Sequence, residues 1–120
     1  MQTVTRDQIR EKLNAWRSHS ISTDEIQAWA SERWMSDLFD YEDWEREDFS
    51  VSNEILAAID MLDLNLITSE DADIFLDFLS TPIGEFPAGY NRMKERLKSI
   101  DYEARKVSLR GIAPYAPFIK

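Results

Sequence analysis

No cysteine occurs in this 120-residue chain. Disulfides and thiolate chemistry are therefore excluded, and a reducing, cytoplasmic setting is expected. Histidine is nearly absent too: His19, in "WRSHSIS", stands alone. Zinc and copper sites lack suitable ligands, and a lone His in a polar loop reads as a surface residue. Gly84, Gly89 and Gly111 are too scattered for a phosphate-cradling loop. No G-x-S-x-G elbow occurs, so Ser-His-Asp catalysis has no support. With four prolines and no Asn-Gly or Asp-Gly pair, hairpin signals are missing as well. No apolar run approaches transmembrane length. "MQTVTRDQIREKLNAW" turns polar at once and lacks the apolar centre of a signal peptide. These absences predict no enzyme activity, no cofactor and no membrane contact.

Basic residues are scarce over most of the chain. Residues 1–89 hold six Lys/Arg against 20 Asp/Glu, whereas residues 90–120 hold eight against three. Between Asp24 and Glu85 only Arg33 and Arg46 oppose 18 acids. Such a field repels nucleic acid and attracts basic proteins, or else is a solvated surface that aids solubility.

What is present is helical spacing, and 43% hydrophobic residues suffice for one core. In "VTRDQI", Thr5 caps, Gln8 completes a capping box, and Val4 and Ile9 form a staple. Ile9, Leu13 and Trp16 follow on one face. "ISTDEI" repeats the signal with Ser22, Glu25, Ile21 and Ile26, and its stripe runs through Trp29, Ala30, Trp34 and Leu38. A third helix begins near Ser50 or Ser52 and carries Ile55, Ile59 and Leu62. "ITSEDA" opens a fourth, with Ala72, Phe75, Leu76 and Leu79 inward and a stop before Pro82. A fifth, from Ala88 or Gly89, carries Tyr90, Met93, Leu97, Ile100 and Ala104. Pro114 and Pro117 forbid a helix near the C-terminus, so residues 106–120 read as an extended tail packed on the bundle, with a short edge strand as the alternative. The expectation is an all-α single domain, residues 1–120, of about five helices. Trp16, Trp29 and Trp34 read as core. The two similar helix starts, 46 residues apart, reflect shared capping rather than a duplication.

The carboxylates invite a metal test. "DLNLITSEDADI" puts Asp63 and Asn65 at the first two calcium-loop positions, but Thr68 replaces the glycine and Ile74 the final Glu. The match fails, and no metal is expected. A carboxylate enzyme supported by a divalent metal is the weakest reading.

Binding remains. "DYEDWERED" places Asp40, Glu42, Asp43, Glu45, Glu47 and Asp48 around Tyr41 and Trp44. Interface hot spots favour Trp and Tyr ringed by polar groups, and the charges would steer a basic partner. The competing reading turns Phe39, Tyr41 and Trp44 inward to help close the bundle; exposure is favoured for Tyr41. Glu70, Asp73 and Asp77, at helical spacing, form a second acidic stripe.

The "IS-x-[DE]-E-I-x-x-WA" start, carried by Ile21, Ser22, Glu25, Ile26, Trp29 and Ala30, resembles that of some bacterial immunity proteins. These are antidotes of polymorphic or contact-dependent growth-inhibition toxins. "SVSNEILAAIDMLDLNLIT" adds to the likeness, which spans residues 5–80. The resemblance implies a cytoplasmic monomer that binds one toxin domain, in many cases a nuclease with a basic cleft, and covers its active site. An acidic helical adaptor for a basic protein is the alternative.

Overall fold

The computed structural model describes residues 1–46 and 48–119. Six α-helices, two short two-stranded sheets and two 3₁₀ turns occur among them. The chain is mostly helical, but the expected all-α bundle of five helices is corrected in three places.

The first is the presence of strands. β1 (Gln2–Val4) pairs in parallel with β2 (Phe39–Tyr41), Thr3 opposite Asp40. β3 (Trp44–Arg46) pairs antiparallel with β4 (Phe49–Ser50), with a bulge between Trp44 and Arg46. Strands this short leave almost no period-2 pattern to read.

α1 (Arg6–Arg17) and α2 (Thr23–Trp34) open with the two expected capping boxes, on Thr5/Gln8 and Ser22/Glu25. Each box satisfies orphan N–H groups reciprocally. α3 (Val51–Asp60) starts at Ser50, whose hydroxyl accepts the Asn53 N–H. A 3₁₀ turn, Ser69–Asp71, leads into α4 (Ala72–Leu79), which ends before Pro82 as expected.

The second correction divides the expected fifth helix. α5 (Phe86–Lys98) starts earlier, with Pro87 in its first turn, and closes at Ser99. Asp101 then caps α6 (Tyr102–Leu109) by accepting the Ala104 N–H. The third concerns the expected tail: α6 occupies its first residues, Val107 is exposed, and neither an extended segment nor an edge strand begins there. Beyond Gly111 the chain turns, buries Tyr115 and ends in a 3₁₀ turn, Ala116–Phe118. The tail does dock on the bundle, because the Tyr115 hydroxyl donates to the Ile67 carbonyl. Burial pushes that phenol up to about 12, so it remains a donor at any ordinary pH.

α2 packs on α3, α1 on α4, and α4 on α5. Their shared core includes Ile9, Leu13, Trp16, Ile26, Ile55, Ile59, Phe75 and Phe78, all essentially inaccessible. Trp16 satisfies its indole N–H on Thr23 Oγ1 at 3.1 Å. Trp29 is half-buried, with the Arg33 guanidinium 4.6 Å from its ring centre. Trp34 is not core: it is 40% exposed, and Leu38, expected on the same stripe, lies beyond the helix and is 69% exposed.

α5 crosses the end of α4 at Gly89. A Cβ there would stand 2.1 Å from Thr81 Oγ1, 2.7 Å from its Cγ2 and 2.9 Å from its Cβ. Rotating Thr81 cannot clear all three atoms. Gly89→Ala is therefore expected to cost about 1–3 kcal/mol of stability from overpacking, more than the roughly 0.5–1 kcal/mol that alanine gains in helix propensity. Urea unfolding measures it. Adding Thr81→Ala should recover most of the loss.

Candidate functional site

The acidic hairpin sits where three helices begin. Glu42 Oε1 accepts the Arg6 N–H at 2.8 Å, at the start of α1. Asp43 accepts the Ser52 N–H at 3.0 Å and the Ser52 hydroxyl at 2.9 Å, in the first turn of α3. Glu45 Oε1 accepts the Gly84 N–H at 2.8 Å, with the Phe86 N–H at 3.4 Å, where α5 begins. A helix N-terminus presents unpaired N–H groups and a partial positive charge, so a carboxylate there is stabilising. Three of the run's acids thus serve as long-range caps.

Asp43 is the centre of this arrangement. It is only 4% exposed, and besides Ser52 it receives the Ser50 hydroxyl and Arg6 Nε, the latter at 2.9 Å. Arg6 in turn donates to the carbonyls of Leu79 and Thr81, at 2.9 and 2.6 Å, and so closes the end of α4. Burial would raise the Asp43 carboxyl. Hydrogen bonds from Ser50, Arg6 and Ser52 outweigh that and hold it below the ordinary 3.8. Asp43 was expected to meet a partner; its oxygens are instead occupied inside the fold.

Tyr41 is likewise corrected. It is 8% exposed and belongs to the core, because the parallel register sets it beside Val4. Trp44 faces outward at 41% exposure. Its indole N–H donates to Asp40 Oδ1 at 2.8 Å, and its ring meets that of Tyr41 edge-on at 5.9 Å. The Trp44 and Tyr41 N–H donors hold the exposed Asp40 carboxyl below its usual value. Asp48 is exposed and forms no hydrogen bond or ion pair among the described residues. Glu47 lies outside the described residues.

The second acidic stripe is paired within the chain. Asp73 meets Arg17 at 2.6 Å, Asp77 meets Arg92 at 2.9 Å and Arg96 at 3.8 Å, and Glu70 lies 3.7 Å from Arg105. The basic C-terminal segment supplies most of these partners. Glu70, Asp73 and Asp77 therefore do not join the hairpin acids in one open site.

Sequence reasoning missed an apolar component. Trp34, Met35 and Leu38 are exposed and lie in the same stretch of chain as Trp44. Asp37, Asp40 and Glu42, also exposed, alternate with them. The sign was present in "RWMSDLFD", but the stripe was assigned to a continuing helix. Among the described residues no group of three or more His, Asp or Glu side chains is placed to hold a metal ion, and no helix is long and apolar enough to cross a membrane. Comparison with family models, curated proteins and solved structures gives no match.

Proposed function

We propose that this chain is an immunity-type inhibitor: a cytoplasmic, non-enzymatic monomer that binds one basic toxin domain and occludes its active site, a nuclease cleft being the favoured target. The observation that carries the reading is the presentation of Trp44. A large, half-exposed aromatic is pinned by Asp40 and by the edge of Tyr41, so little side-chain freedom remains to be lost on binding. Rigid aromatics ringed by polar groups are the residues that dominate interfaces. In the same stretch of chain the exposed Asp40, Glu42 and Asp48 supply charge for steering, and the exposed Trp34, Met35 and Leu38 supply apolar area. In this role the carboxylates stand where nucleic-acid phosphates would otherwise sit in a basic cleft.

The test is to express any toxin domain found encoded beside this chain, and to look for a one-to-one complex and for growth rescue of cells expressing it. Trp44→Ala is expected to cost about 2 kcal/mol of binding, roughly 30-fold in Kd, with its unfolding midpoint nearly unchanged. Calorimetric titration reads the first quantity and urea unfolding the second. A partner with no basic face, or a Trp44→Ala variant that binds as tightly as the parent, overturns this assignment.

A further inference from the structure

A cavity of about 370 Å³ opens between β4, the first turn of α3 and α5. Phe49, Phe86, Pro87 and Tyr90 wall it, and Asp48, Glu54 and Asn91 supply its polar groups. The rings form a ladder. Phe49 stacks on Phe86 at 4.7 Å and 8°, and Phe86 on Tyr90 at 5.4 Å and 16°. Arg46 covers the end at Phe49, 5.8 Å from its centre, and Lys94 the end at Tyr90, 5.2 Å away. Stacking and these two cations fix the ladder before any ligand arrives.

Glu54 is the unusual wall. It is half-buried, yet among the described residues its carboxylate makes no hydrogen bond and no ion pair. Burial pushes its carboxyl above the ordinary 4.5, with the charge of Lys94 pulling the other way. A partly desolvated carboxylate without a donor is costly. An apolar ligand would leave that cost in place, and an anion would meet Asp48 and Glu54. A hard metal ion needs about six oxygen ligands, which this apolar pocket does not supply. A side chain with an apolar stem and a cationic head satisfies both parts of the wall. Guanidinium fits better than ammonium, because it is planar, weakly hydrated and able to bond a carboxylate through two N–H groups.

We infer that this cavity is the receptor for one arginine side chain of the basic protein partner, with its stem along Phe86, Pro87 and Tyr90 and its head on Glu54 and Asp48. The inference rests on the proposed function for the identity of the partner and adds a second anchor point to Trp44. It reverses the usual arrangement of a hot spot, since here the pocket lies on this chain and the anchor on the other.

The site can be tested without any partner. N-acetyl-arginine methylamide is titrated into the ¹⁵N-labelled full chain, with the neutral isostere N-acetyl-citrulline methylamide as control. Saturable shifts are expected at the amides of Phe49 and Tyr90 and at the Asn91 side chain, with citrulline binding about tenfold more weakly. Glu54→Gln should bring arginine down to the level of citrulline. Asn91→Arg, at an exposed position, should fill the cavity from within and abolish the shifts. Equal binding of the two probes, shifts unaffected by Glu54→Gln, or shifts confined to Asp40 and Trp44 would each overturn the inference. With the partner in hand, Asn91→Arg should weaken the complex. A complex weakened by Trp44→Ala but untouched by Asn91→Arg leaves the proposed function standing without this pocket. Arginine-selective binding in a chain that protects against no toxin leaves the pocket standing alone.

Discussion

Replacing Asp43 with alanine is expected to cost about 3–5 kcal/mol, the range for leaving one partner of a buried ion pair without the other. The unfolding midpoint should fall by about 10–20 °C at this chain length. The number is large because four donors lose their acceptor together: Arg6 Nε, the Ser50 hydroxyl, and the N–H and hydroxyl of Ser52. Each lies in or beside the first turn of α1 or α3, so the loss is shared by two helices. Replacing both charged partners removes the orphaned charge. In an Arg6→Met background the same Asp43→Ala change should cost less, because only the Ser50 and Ser52 donors then lose their acceptor, and the double-mutant cycle reads the Arg6–Asp43 coupling directly. A cost below about 1 kcal/mol in the parent would show that the hairpin is not fastened through Asp43.

The same residue sets an acid response. Its folded-state carboxyl lies below 3.8, so the unfolded chain binds this proton more readily than the folded one. The stabilisation is complete from about one unit above 3.8 upward and is lost progressively as pH falls through 3.8 towards the lowered folded-state value. Asp43→Asn lacks this proton uptake. Its stability should start lower near neutrality and decline less steeply on acidification. Parallel acid limbs for the parent and the variant would contradict the assignment.

Much of the helical frame was legible because its signals are local. The capping boxes at Thr5 and Ser22 join residues three apart, and both are formed. "ITSEDA" carries the same kind of signal, and just before α4 Asp71 accepts the Thr68 N–H, one half of such a box, while the Thr68 hydroxyl has no partner among the described residues. What could not be read depends on distance along the chain. Glu42, Asp43 and Glu45 cap helix starts up to 41 residues away, so sequence shows their charge but not their use. Tyr41 is drawn inward by pairing with a strand 37 residues earlier. Other misses were local but ambiguous. Met35 ends α2 without glycine or proline, so the apolar period ran on to Leu38. "SIDYEA" held the Asp101 cap that divides α5 from α6, yet Ile100 and Ala104 also fit one continuous face. The candidate site fared likewise: Trp44 among acids was visible, whereas the cavity of Phe49, Phe86 and Tyr90 joins positions 37 and 41 residues apart.

Arg105→Ala is expected to be comparably destabilising, but in a different manner. Arg105 Nη1 donates to Asp71 Oδ2 at 2.6 Å and Nη2 to Asp71 Oδ1 at 3.2 Å, while Nη1 also reaches the Leu66 carbonyl at 3.1 Å. Asp71 is 3% exposed, and its carboxylate also accepts the Thr68 N–H that starts the α4 region. Removing the guanidinium leaves that buried charge with one neutral donor, at about 3–5 kcal/mol. Asp43 lies among three helices, but Arg105 sits on α6, none of whose residues is fully buried. With little apolar surface to hold it, α6 depends on this pair, on the partly buried Tyr102 and Leu109, and on the docked Tyr115. The variant should therefore release α6 before the rest unfolds. Hydrogen exchange should show the amides of residues 105–109 losing protection while those of α3 keep most of theirs. Arg105→Lys retains the charge but not the paired bonds and should fall between the parent and the alanine variant. Asp71→Asn in the Arg105→Ala background removes the orphaned charge and should recover part of the loss. If α3 and α6 lose protection to the same extent, the pair fastens the whole domain rather than its last helix.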